Sequence, residues 1–110
     1  MSPGNRFLGE FEQMVLAAIL RLEDHAYGVS IIEDIARHAA RDVSSGALSV
    51  TLDRMERKGL VRSRLADPSD GRGGRPRRYV EVTSQGLEEA RQSREALLNM
   101  WRDLDEAYEG

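Results

Sequence analysis

The sequence contains no cysteine, which removes a disulfide framework, a thiolate metal site and a thiol nucleophile from consideration. Histidine is nearly as scarce. His25 and His38 are the only two, and their placement relative to Asp24 and Asp42 makes no metal-ligand pattern. Nothing resembles a nucleophile elbow or a poised pair of acids, so neither an enzyme nor a cofactor or metal is expected. No stretch reaches the roughly 18 apolar residues of a membrane-spanning helix, and the opening MSPGNRF has no signal-peptide apolar region. A soluble cytoplasmic protein with no membrane partner is expected. Aromatic residues make up only 5% of the chain, and Trp101 is the sole tryptophan. What remains, 110 residues that are 40% hydrophobic and 32% charged, has the balance of one small globular domain.

The net charge of −3 hides a strong segregation. Between Arg54 and Arg78 stand nine basic residues against three acids, Glu56, Asp67 and Asp70, a local +6 that leaves −9 for the rest of the chain. A basic segment on an otherwise acidic chain is the footprint of a surface for a polyanion.

The most sharply delimited element is Ser44 to Gly59. Ser44 is a good N-cap, with Val43 before it able to staple against Leu48. Gly59 suits a left-handed position after the last turn, and Leu60 can return to Met55. Leu48, Leu52 and Met55 share one face. The opposite face carries Gly46, Val50, Arg54 and Arg57, with Ser45 and Ser49 at its edge, and is small and narrow enough for a DNA major groove. Before it, Leu8 to Leu22 predicts a helix with a stripe of Leu8, Phe11, Val15, Ala18, Ile19 and Leu22, widened by Met14 and Leu16 so that two partners are needed. After a turn at Glu23 to Ala26, Gly28 to Ala39 predicts a second helix with Ile32, Ile35, Ala36 and Ala39 inward. Two helices joined by about four residues make a helix-turn-helix, the second being the reader.

Two alternating β-forming runs follow, Leu60 to Leu65 and Arg78 to Thr83, around the turn-rich ADPSDGRGGRPR. They predict a hairpin with a basic tip, a wing that brings Arg72, Arg75, Arg77 and Arg78 to a phosphate backbone or minor groove. Tyr27, opening the second helix, places a hydroxyl where it can meet a phosphate; a half-buried structural tyrosine is the other reading.

Thr83 or Ser84 caps a last helix expected to run to about Tyr108. Leu87, Ala90, Leu97, Trp101, Leu104 and Tyr108, with Arg94 in the one polar slot, step along it as a heptad seam. So small a chain has no other element to cover that length, so a second copy is expected on it, with Phe11 of the broad first helix supplying the other wall. The expected class is thus mainly α with a small β-hairpin, a winged helix-turn-helix plus a long dimerisation helix. The expected divisions are a tail at 1–7, a DNA-binding part at 8–83 and the dimerisation helix at 84–110.

With these residues placed, the sequence resembles the PadR family of transcriptional regulators. The matching pieces are LGEFEQMVLAAILRL, AYGVSI, DVSSGALSVTLDRMERKGLV and GGRPRRYVEVTSQG, covering Leu8 to Gly86, and the single last helix is similar to the short subfamily. The resemblance implies a winged-helix dimer that represses genes at operator DNA, a pseudo-palindrome, often relieved by a small aromatic or lipophilic inducer. It also implies that a tryptophan on the last helix helps line an apolar pore at the dimer interface and stacks on flat ligands, which would make Phe11, Val15, Leu97 and Trp101 the ligand wall; interface packing is the plainer role of Trp101. The chain departs from the family pattern at Ser49, where a tyrosine facing the DNA backbone is common, and at Val50, where threonine or proline is common. That departure leaves open a different operator, weaker binding, or compensation by Arg54 and the wing. Two functions survive: a dimeric DNA-binding repressor, and a winged-helix protein-interaction module that has lost DNA binding.

Overall fold

The computed structural model describes residues 8–66 and 77–104, in the order α1 (Glu10–Leu22), a short 3-10 turn (Glu23–His25), α2 (Gly28–Ala39), α3 (Ser45–Arg57), β1 (Val61–Leu65), β2 (Arg78–Val82) and α4 (Ser84–Trp101). The fold is the expected one, mainly helical with a single two-stranded antiparallel hairpin. Arg72, Arg75 and Tyr108 lie outside the described residues.

The broad α1 is the centre of the core. Val15, Leu16, Ala18 and Ile19 on it are buried, and they meet Ile31 and Ile35 of α2, Leu48, Leu52 and Met55 of α3, and Leu60, Val61 and Val80 of the hairpin. Fully burying side chains of this size stabilises by about 1.5–3 kcal/mol each before chain entropy is counted, so the small core is concentrated on one helix. Its outward positions are Gln13, Ala17 and Leu20, spaced at helical intervals and facing α4.

Helix α2 is turned relative to the face expected from its sequence. Ile31 and Ile35 are buried, Ile32 and Ala39 are half-buried, and Ala36 is exposed. The reason is Asp34, which is 3% exposed. Its carboxylate accepts a hydrogen bond from Arg21 Nε at 2.9 Å and lies 3.3 Å from His38 Nδ1. A charged residue belongs on a buried face only when such partners exist, and the arginine comes from α1.

The two ends of α3 are set by local chemistry. Ser44 Oγ accepts from the Ala47 amide at 3.1 Å, while Gly59 adopts φ +82° and the Leu60 amide bonds back to the Met55 carbonyl at 2.9 Å. The chain then enters β1, paired with β2 in a register of Val61 with Val82 through Leu65 with Arg78. Tyr27 adds an isolated bridge to Tyr79 on the hairpin, and the Val80 amide bonds to the Ala26 carbonyl at 2.9 Å. The root of the wing is thereby fastened to the start of α2.

Helix α4 begins directly on the turn that ends α3. Thr83 caps it, accepting from the Gly86 amide at 3.0 Å and reaching the Gly59 carbonyl at 2.6 Å. Gly86 is buried, and a Cβ there would lie 2.9 Å from the Leu60 carbonyl carbon and 3.0 Å from Val82 Cγ1. Gly86→Ala must therefore push the helix off the hairpin. A loss of about 3 kcal/mol is expected, read as a lower urea midpoint at unchanged slope; an unchanged midpoint would mean that α4 is not seated there.

The far end of α4 differs from expectation. The helix closes at Trp101, Arg102 is extended, and Asp103 has φ +66°. Helical stability comes mostly from tertiary packing, and the last turns of α4 have little of it within one chain: Met100 is 74% exposed and Trp101 58%.

Candidate nucleic-acid interface

Helices α2 and α3 and the hairpin present their solvent side together. On α3, Ser45, Gly46, Ser49 and Val50 are exposed, Val50 to 60%. Gly28, Ser45, Ser49 and Arg78 rim a shallow depression of about 180 Å³ floored by Leu48 and Leu52. The outward face is thus small and polar at its N-terminal end, with one branched apolar side chain in its middle.

The basic residues are arranged less simply than their sequence suggests. Arg78 is bound to Asp53 at 3.1 Å and Glu56 at 2.9 Å, which ties the wing to the recognition helix and removes it from the pool of phosphate-seeking cations. Glu56 also accepts from Ser63 Oγ at 2.9 Å. The Ser63 hydroxyl and then Arg78 hold its carboxyl below the usual value. Arg62 pairs across the hairpin with Glu81 at 2.7 Å. Arg54, expected to project toward DNA, has its Nε 3.5 Å from Glu12 Oε2 on α1, and Lys58 Nζ donates to the same oxygen at 3.0 Å. Burial pushes the Glu12 carboxyl up, but the Lys58 and Gly9 hydrogen bonds outweigh it and hold the group below its ordinary value, hence ionised at neutral pH. Arg57 stays exposed at the helix end.

Arg77 and Tyr27, proposed as separate contacts, form one unit. The Arg77 guanidinium lies 3.9 Å from the Tyr27 ring centroid, and its Nη1 is 3.4 Å from the Tyr79 hydroxyl. Tyr27 and Tyr79 meet edge to face at 5.6 Å, and Arg64 covers the Tyr79 ring at 4.9 Å. This is a latch of two arginines and two tyrosines at the root of the wing. Tyr27 is half-buried in it, which places its structural role beside any phosphate contact. No sequence spacing signals the latch, because its members meet only when β2 pairs with the residue before α2.

On α4, Leu87, Leu97 and Trp101 are exposed in the single chain, Ala90 is half-buried against the core, and Arg94 is exposed among them; Leu104, also exposed, lies past the helix end. Together with Gln13, Ala17 and Leu20 of α1, the first part of this strip bounds an apolar groove of about 480 Å³. Val15 does not reach it. Its exposure is 0%, because the Phe11 and Val15 stripe is the inward face of α1; Phe11 is half-buried against the core. The α1 side chains that face α4 are Ala17 and Leu20, two and five positions beyond Val15 and so on the other side of the helix. Among the described residues no group of three or more histidines, acids or cysteines is placed to hold a metal ion, and no helix is long and apolar enough to cross a membrane.

The family model for the transcriptional regulator PadR-like family matches residues 15–92. Among solved structures, a PadR family transcriptional regulator from Eggerthella lenta DSM 2243 is similar with 23% identity, over 90% of this chain and 81% of that one, at a TM-score of 0.70. A PadR-like transcriptional regulator from Bacillus cereus strain ATCC 14579 is similar with 24% identity over 91% and 92% of the two chains, at a TM-score of 0.71. A PadR family transcription regulator from Clostridium difficile R20291 is similar with 20% identity over 93% and 100%, at 0.68. A comparison with curated proteins finds no match.

Proposed function

The chain belongs to the PadR-like family of transcriptional regulators, which are DNA-binding regulators and not enzymes, and on that premise we propose that it acts as a homodimeric repressor of its own or neighbouring genes. The part at 8–83 grips DNA and the part at 84–110 holds two copies together. The observation that carries the reading is the strip of exposed apolar side chains on α4, with Leu87, Leu97 and Trp101 each 49–58% exposed in the single chain. Apolar groups at heptad spacing on a projecting helix are explained by a second copy laid along them. A two-fold pair then sets two recognition helices about 34–36 Å apart, one turn of a pseudo-palindromic operator. Ser45, Ser49 and Val50 face base edges, Arg54 and Arg57 meet the groove and its rim, and Arg72, Arg75 and Arg77 of the wing meet flanking phosphates.

The direct test is a mobility shift with the region upstream of the protein's own gene against shuffled DNA of equal length. A retarded band on the first at concentrations that leave the second free is expected. Equal retardation of both, or of neither, would turn the reading toward a protein-interaction module.

The same reading includes relief by a flat apolar inducer at the dimer interface, where Trp101 and Leu97 come near the two-fold axis. Stacking on an indole adds about 0.5–1.5 kcal/mol beyond buried area, so a planar cationic dye should quench the lone tryptophan saturably, and a dimeric Trp101→Ala variant should bind it several-fold more weakly. If the site is a switch, operator DNA weakens dye binding by the same factor as the dye weakens DNA binding. Saturable quenching without that reciprocity leaves a pocket with no regulatory role.

A further inference from the structure

Glu12 sits in the first turn of α1, where its Oε1 accepts from the Gly9 amide at 3.2 Å as part of the helix cap. A glutamine would serve that purpose equally well. The residue is nonetheless a carboxylate, and it is only 6% exposed, an arrangement that is costly unless the charge is met. It is met by its second oxygen: Oε2 accepts from Lys58 Nζ at 3.0 Å and lies 3.5 Å from Arg54 Nε. Arg54 and Lys58 are one turn apart on α3, like charges on one face that repel unless an acid stands between them.

The side chain of Arg54 remains 46% exposed. The Nε side of its guanidinium rests 3.5 Å from the Glu12 carboxylate, while its outer nitrogens keep donors for a base edge or phosphate. The end of the helix is held from the other side as well, since Gln85 Nε2 of α4 donates to the Lys58 carbonyl at 3.2 Å and Thr83 Oγ1 to that of Gly59. Resting on the DNA-binding reading above, we propose that Glu12 is a positioning residue for sequence discrimination, aiming Arg54 of the recognition helix from the first turn of α1 while neutralising part of the charge that would otherwise drive indiscriminate binding.

Two consequences separate this role from a merely structural one. Without the carboxylate, Arg54 and Lys58 become mobile cations, so affinity for random duplex rises and its dependence on salt steepens. Affinity for the operator does not rise with it, because a guanidinium that must be ordered at binding discriminates less. An aimed arginine on a base is worth fivefold or more in discrimination, and Glu12→Gln should reduce the operator-to-random ratio by about that factor. Arg54→Ala should reduce it to the same extent, and Glu12→Gln/Arg54→Ala no further, since both remove one device. Arg57→Ala, at an exposed end residue, should change affinity for both duplexes alike. A ratio unchanged in Glu12→Gln, or effects of the two substitutions that add, would overturn the proposal. A second measurement needs no DNA. In nitrogen-15 spectra of the full chain the Arg54 Nε–H should be ordered and slow to exchange, unlike that of Arg57, and should lose that protection in Glu12→Gln. An Arg54 signal as mobile as Arg57 in the unsubstituted protein would sink the aiming role, even if the chain proved to bind no DNA at all.

Discussion

Leu97→Asp is expected to give a folded monomer that no longer holds an operator. In the single chain Leu97 is 49% exposed, and substitutions at such positions usually change stability by no more than about 0.5 kcal/mol. The helical signal and the urea midpoint of the monomeric unit should survive. Across a two-fold seam the same change places two carboxylates in an apolar contact, where an unpaired buried charge costs roughly several kcal/mol. Sedimentation should therefore report a halved mass. Operator affinity should fall with it, because one recognition helix then binds without the other. Asn99→Asp, on the opposite side of α4, is the control and should leave the dimer intact. A Leu97→Asp protein that stays dimeric would show that the copies meet elsewhere.

The elements that were legible in the sequence are those whose chemistry is local. Ser44 and Gly59 mark the ends of α3 because a cap and a left-handed turn need only neighbouring residues, and the hairpin follows from alternation on both sides of a glycine-rich run. The parts that were not legible depend on residues distant in the chain. Asp34 turns inward only because Arg21 of α1 meets it, and this rotates the buried face of α2 away from Ala36. Glu12 is one of two acids in the first turn of α1, where any acid suits the helix dipole, and nothing local indicates that Lys58, 46 positions away, stands beside it. The family resemblance puts Val15 on a ligand wall, whereas Val15 is 0% exposed: α1 has two apolar sides, and the sequence does not say which side faces α4. The end of α4 illustrates a different limit, for apolar spacing in the sequence continues past Trp101, where the helix closes, and spacing alone does not hold a helix turn that lacks packing. The basic segment illustrates a third. Counting charges treats Arg78 and Arg77 as equivalent, yet one is bound to Asp53 and Glu56 and the other to the Tyr27 ring and the Tyr79 hydroxyl.

That difference sets the size of the largest effect, the dependence of operator binding on salt. The local +6 overstates the charge available to DNA, because Arg78, Arg62, Arg54 and Lys58 each have an acidic partner. Arg57, Arg64 and Arg77 have no acidic partner among the described residues, and the proposed DNA contacts Arg72 and Arg75, which lie outside them, are expected to add to that charge. If roughly three to five phosphates are met per chain, a dimer neutralises about six to ten, and the logarithm of affinity should fall with that of salt at a slope near −0.9 per phosphate. Affinity should thus drop by about 10³ to 10⁵ between roughly 50 and 200 mM. Arg75→Ala, lost from both wings, should shallow the slope by about two without altering preference among sequences. Arg77→Ala should cost more than its charge, because it also unlatches Tyr27 from Tyr79 and leaves the wing root less ordered. Arg77→Lys separates the two contributions: an ammonium keeps the charge and hence the slope, but it lacks the planar face that lies on the Tyr27 ring, so affinity should still fall by several-fold through faster dissociation. Lysine restoring full affinity would reduce Arg77 to a plain phosphate contact, and an affinity insensitive to salt across that range would remove the wing from the DNA interface altogether.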